Sequence, residues 1–216
     1  MKPTIKSTFA LFVLAVSLIA SGAATAQKSR FGISVNSLTT NFNYGKSNDA
    51  LQPYKRNYKG LQAGFTYQIG ITPMISLVPE LYFALKGGTL MANNPITTGK
   101  STLRTSSLDL PVLARVHFGQ FYLNAGPYAS YTLAARLKTA ASTVATEVKV
   151  SIPVDETGIR RFDYGFQAGA GYNFKLKKAV LGVDARYGYG LANLSTDVDR
   201  YSRMFNLSVT LTKPRK

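Results

Sequence analysis

The sequence predicts an all-β protein, an antiparallel up-and-down transmembrane β-barrel of about eight strands. Runs in which apolar and polar residues alternate with a period of two recur along the chain after residue 26, with no helical period. The connections between these alternating runs are short and long in strict turn. Large aromatic residues gather near the strand ends on one face, while that face is almost free of charge.

The chain has 216 residues, enough for one domain, and the first 26 read as separate from it. Lys2 and Lys6 are a basic start, Phe9 to Ala20 is apolar apart from Ser17, and Ala24, Thr25 and Ala26 are small. That order is a secretory signal peptide with cleavage expected before Gln27. Its apolar run of about 12 residues is short of the roughly 20 that span a bilayer as a helix. Residues 27–216 are then the barrel domain. With no Cys in the sequence, neither a lipid anchor nor disulfides are expected, so the exported domain needs another device to hold it.

A first, weaker strand covers about 31–40. The clearest alternation is 61–69, where Leu61, Ala63, Phe65, Tyr67 and Ile69 oppose Gln62, Thr66 and Gln68. In 75–86, Ile75, Leu77, Leu81, Phe83 and Leu85 oppose Ser76, Glu80 and Lys86. In 107–118, Leu108, Leu110, Val112 and Val116 oppose Ser107, Asp109, Arg115 and His117. The strands at 121–133 and 162–174 set Phe121, Leu123, Tyr131, Phe166 and Tyr172 against Asn124, Ser130, Asp163, Gln167 and Asn173. In 181–191, Leu181, Val183, Tyr187 and Tyr189 oppose Asp184, Arg186 and glycines. The last strand sets Phe205, Leu207, Val209 and Leu211 against Asn206, Ser208, Thr210 and Thr212.

Residues 70–74, 118–121 and 175–179 are tight links; 41–58, 89–101, 137–159 and 193–200 are long and polar. Membrane barrels have short periplasmic turns and long outer loops, so both ends of an eight-stranded chain fall on the periplasmic side. The third loop alternates again at Val144, Val148, Val150 and Ile152, which fits either a ribbon above the membrane or a disordered segment. A sheet in lipid must close, because an open edge leaves backbone groups unpaired. Closure turns the apolar faces to lipid and the polar faces inward. The reverse, a soluble carrier with an apolar interior, would not sort aromatics into two girdles. Tyr67, Phe118, Phe121, Tyr172 and Phe174 stand toward the turns, and Phe83, Tyr131, Phe162 and Tyr164 toward the loops.

Eight strands leave an interior just wide enough for side chains. Glu80, Asp109 and Asp184 come from separate strands, as do Lys86, Arg115 and Arg186, and these six are therefore expected to form a charge-paired plug, since an unpaired buried charge costs several kcal/mol. The functional alternative for these residues is a proton or ion path. Inward glycines such as Gly64, Gly165, Gly171 and Gly188 would make room for long side chains. His117, the sole histidine, points inward near the turns, which leaves no His/Cys metal site and no triad at the outer end. No catalytic site, metal or cofactor is expected. The glycine-rich run 165–171 lies within a strand with no helix after it, so it is not a phosphate loop.

The formal charge is +16, and loss of Lys2 and Lys6 lowers it to +14. For an exported chain the anionic partners are outer-membrane lipids and lipopolysaccharide, not nucleic acid. Lys28, Arg30, Lys175, Lys177, Lys178, Lys213, Arg215 and Lys216 gather at the turn end. They read equally as a ring against anionic headgroups or as a solvated edge that keeps the chain soluble.

Several stretches resemble the PorT-like outer-membrane β-barrel proteins of Gram-negative bacteria: GISVN, ISLVPELYFALKGG, SLDLPVLARVHFGQFYLNAGPYASYTL, FDYGFQAGAGYNF and LGVDARYGYGLANL. The resemblance implies residence in the cell outer membrane, reached through the periplasm with the help of the insertion machinery. Its motifs are fold motifs and carry no functional residues over. The chain departs from barrels that end on an aromatic residue, because Leu211 takes that place. One member of the family is implicated in protein secretion. The expected role is structural or accessory, as a monomer, with transport as the alternative: a small-solute pore or a secretion component.

Overall fold

A strand whose alternate residues prefer two different solvents is stable only where a sheet separates them. The computed structural model shows such a sheet; it describes residues 29–46, 48–139, 146–148, 150–151, 158–195 and 198–213. Eight long strands form it: β1 (Arg30–Asn43), β2 (Tyr58–Gly70), β3 (Ile75–Leu90), β4 (Ser101–Phe118), β5 (Phe121–Thr139), β6 (Phe162–Lys175), β7 (Val180–Gly190) and β8 (Tyr201–Thr212). Each pairs antiparallel with its sequence neighbour, and β8 pairs back onto β1, from Gly32 opposite Thr212 to Asn43 opposite Tyr201. The result is a closed eight-stranded antiparallel barrel.

The apolar faces point outward. Phe166 is 59% exposed, and Phe65, Leu81, Leu123 and Leu207 are exposed with it, while Asp109 is fully buried. A continuous apolar belt of this kind on the outside of a sheet is a lipid-facing surface, and it excludes the carrier-type arrangement with apolar residues within. Both aromatic girdles are present. Phe31 stacks on Phe65 with centroids 5.6 Å apart, Tyr172 meets Phe174 at 4.8 Å, and at the loop end Tyr131 meets Phe162 edge-on at 5.2 Å.

The short connections lie at one end. The tightest joins Phe118 to Phe121 through Gly119, whose φ of +68° suits a two-residue hairpin turn. At the other end the strands run further than alternation suggests. β2 begins at Tyr58, β4 at Ser101 and β8 at Tyr201, and β5 continues to Thr139. Backbone pairing persists there, but the apolar period stops where lipid stops, so the sequence hides it. Part of the third loop is a ribbon: Thr146–Val148 pairs with residues 135–137 of β5. Val144, Ile152 and Pro153 lie outside the described residues, as does the signal-peptide segment. A register shift between Ser106 and Ser107 leaves Leu133 and Ala134 both exposed, the mark of a bulge in β5.

The long loops are not simply polar. Phe42, Tyr44, Leu51, Leu90, Leu103, Ala135, Ile159, Leu194 and Val198 form a buried apolar cluster. Contributed by strand ends and loops, it caps the outer mouth. Sequence reading missed it because its members are scattered singly through polar segments.

Candidate functional site: the barrel lumen

The six charged residues expected to plug the lumen all lie within it, in two groups. In the group nearer the turns, Arg186 on β7 is 1% exposed and its guanidinium serves two carboxylates. Its Nη1 and Nη2 donate to Glu80 on β3, the latter at 3.0 Å to Oε1, and its Nε and Nη2 donate to Asp184. The two acids come from strands on different sides of the lumen, so this fork spans it. Arg115 makes neither contact. Its guanidinium lies 4.1 Å from the centre of the Tyr122 ring, and the Tyr122 hydroxyl donates to Asp184 Oδ2 at 3.0 Å. Tyr122 thus links the second cation to the second acid, and the four charges sum to zero.

The second group sits nearer the loops. Lys86 Nζ donates to Asp109 Oδ1 at 2.9 Å and to Ser130 Oγ at 3.0 Å. Asp109 accepts further bonds from Ser107, Ser130 and Gln62. Gln62 Oε1 then accepts from Asn36 at 3.0 Å and Asn206 at 3.3 Å, which carries the network to β1 and β8. Such satisfaction is what makes buried polar groups tolerable. A fourth buried carboxylate, Asp163, accepts from the Tyr128 hydroxyl at 3.2 Å. It borders a cavity of about 30 Å³ below the cap, room for one water.

The lumen is less polar than expected. Leu38, Val78, Tyr82, Leu113, Tyr122, Tyr128 and Met204 are buried in it. Their parity with Glu80, Asn124 and Ser130 was the available signal, and so were the inward glycines. A Cβ on Gly171 would lie 2.4 Å from Tyr122 Cζ, so only glycine leaves space for that ring.

His117 points inward at the turn end, as parity requires. Its Nε2 lies 3.1 Å from Ser76 Oγ and 3.2 Å from Gln68 Nε2. Ser76 is fully buried, so its hydroxyl is closed to any bulky substrate. His117, Gln68, Arg30 and Lys175 line a vestibule of about 560 Å³ at the turn-end mouth. Among the described residues no cluster of His, Cys, Asp and Glu has the make-up of a metal site. Asn206 is buried in the lumen.

Closed topology, lipid-facing apolar belt and paired lumen together define an outer-membrane type of barrel, and the family comparison agrees. The profile of the family described as "Outer membrane protein beta-barrel domain" matches residues 25–196. The chain belongs to that family. Membership implies the outer membrane as its location. The match stops before β8, the strand that closes the sheet. No curated protein matches the chain significantly. Solved structures with a similar fold include Ail, the attachment invasion locus protein of Yersinia pestis, in complex with the heparin analogue sucrose octasulfate. That match has 10% identity and a TM-score of 0.46, covering 86% of this chain and 99% of that one. Neisserial surface protein A is similar at 12% identity and 0.46, covering 87% and 99%. OprG from Pseudomonas aeruginosa is similar at 10% identity and 0.40, covering 87% and 95%.

Proposed function

We propose that this family member is a monomeric, non-conducting barrel with a structural or accessory role in the outer membrane. The observation that carries the reading is the Arg186 fork across the lumen, joined by the Lys86–Asp109 network and the apolar cap above it. A water-filled pore needs a continuous open path, and these groups occupy the cross-section at three heights. A sheet that closes on itself has no edge to pair, which supports the monomer. The buried Ser76 beside His117 supports a role without catalysis. Planar-bilayer recording of the refolded protein tests the proposal: no unitary conductance above the bare bilayer is expected, and stable ohmic channels would refute it.

The second reading, a part in protein secretion of the kind linked to the PorT-like proteins, draws on the periplasmic vestibule, which is open to a partner or cargo and carries Arg30 and Lys175. The same quoted strand motifs support closer kinship to that group. Deletion of the protein followed by comparison of the secreted proteins decides this: unchanged secretion removes the reading.

A further inference from the structure

The charges on the eight strands are sorted by sign. Among the described residues, all four strand carboxylates, Glu80, Asp109, Asp163 and Asp184, are buried in the lumen. The cations on the outer surface of the strands, Lys59, Arg104, Arg136, Lys138 and Arg203, all lie toward the loop end. Turn-end strand cations such as Arg30 and Lys175 face the vestibule instead.

These outer cations form a belt at a defined depth. Arg104 stands opposite Gly87 on one side and Arg136 on the other, and Lys59 stands opposite Thr39, to which its Nζ donates at 2.8 Å. One or two rungs toward the membrane centre come the exposed leucines Leu61, Leu85 and Leu108. The cations therefore sit where hydrocarbon gives way to headgroups. Three arginines of the outer end also lie against tyrosines: Arg104 on Tyr58 at 5.9 Å, Arg161 on Tyr131 at 5.7 Å and Arg203 on Tyr189 at 3.5 Å. A ring beneath a guanidinium fixes its plane. Arg203 Nη1 is further anchored by donation to the carbonyls of Gly190 at 2.9 Å and Ser202 at 2.8 Å, and Arg161 Nη1 donates to the Thr132 carbonyl, so in these two the remaining edge of the fork is what a ligand would meet.

We propose that this belt binds the phosphates of the glycolipid in the outer leaflet. The donor set suits the ligand. Planar guanidinium forks match phosphate oxygens bidentately, and lysine adds point charge. The depth suits it too, since phosphates of a lipid anchored beside Leu61 and Leu85 lie level with Lys59 and Arg104. On the eight long strands no carboxylate faces this surface to compete; in the loop ribbon Glu147 stands opposite Arg136 in register, so Lys59, Arg104 and Arg203 carry the proposal. The proposal rests on the membrane orientation given by loop length and is independent of whether the lumen conducts.

Native mass spectrometry of the full barrel in micelles doped with bis-phosphorylated lipid A tests it. Folding of each sample is confirmed by the gel shift on boiling. The wild type is expected to retain bis-phosphorylated lipid A at least about tenfold better than fully dephosphorylated lipid A. Removal of a near-surface cation weakens binding about fivefold, so K59Q/R104Q, on the two strands that flank β3, is expected to lose roughly 25-fold. R104K is expected to fall between wild type and R104Q, because it keeps the charge but loses the fork. Lys177→Gln with Lys178→Gln, at the opposite end, is expected to bind as wild type. Equal retention of the two lipids by the wild type would overturn the proposal without reliance on any variant. A loss in the turn-end variant equal to that in K59Q/R104Q would overturn it as well.

Discussion

Replacement of Arg186 by Met keeps an unbranched apolar stem and removes the charged guanidinium. The structure then leaves Glu80 and Asp184 buried, with only Arg115 to balance them through Tyr122. Loss of one partner from a buried ion pair costs about 3–5 kcal/mol, because the partner left behind stays desolvated. At 1.36 kcal/mol per decade, that is a fall of about two to three and a half decades in the folding equilibrium. With a urea slope of about 2 kcal/mol/M, the midpoint drops by about 2 M. The assay is the folded fraction in lipid micelles across a urea series, read from gel mobility without boiling. The double variant E80Q/R186M removes one acid with one cation and leaves Asp184 facing Arg115. It is expected to recover most of the lost stability. An R186M midpoint equal to wild type, or a double variant no more stable than R186M, would refute the charge-balance reasoning.

Gly171→Ala places a methyl against the Tyr122 ring, which Arg115 and Asp184 hold in place, and should cost about 1–3 kcal/mol by the same assay. Gly188→Ala meets the flexible Met204 side chain and should cost less; the reverse order would contradict the packing described. Leu51→Ala opens the outer cap, so limited proteolysis should cut the first long loop faster while the barrel still shifts on a gel. Burial pushes the Tyr44 phenol from 10.0 up to about 12, with Arg200 opposing the rise. The folded cap therefore favours the neutral phenol. Its contribution is fully present below pH 10 and is lost as pH rises toward 12, so loop proteolysis should accelerate in that window and not in Tyr44→Phe.

The barrel was legible because lipid imposes one rule on every strand: apolar residues outside, and a period of two fixes the rest. Leu61 to Ile69 and Ile75 to Leu85 declare their outward face residue by residue. The same rule placed Glu80, Asp184 and Arg186 in one space, because all three share the inward parity of strands that close around a narrow lumen. Sequence could not show that Arg115 reaches Asp184 only through Tyr122, since a tyrosine inside a barrel looks like one more strand-former. The outer cap was illegible for a related reason. Phe42, Leu51 and Ile159 come from three separate connections and follow no period, so only the folded loops bring them together. The strand extensions at Ser101 and Thr139 were hidden because water above the membrane no longer demands alternation.

Gel mobility of the protein in the isolated outer-membrane fraction, with and without boiling, tests the central claim most directly. A closed barrel with its apolar face in lipid and its charges bonded within resists detergent unfolding in the cold. The account predicts recovery in the outer-membrane fraction and a clear mobility shift on boiling. A protein recovered soluble from the periplasm, running identically before and after boiling, would contradict it.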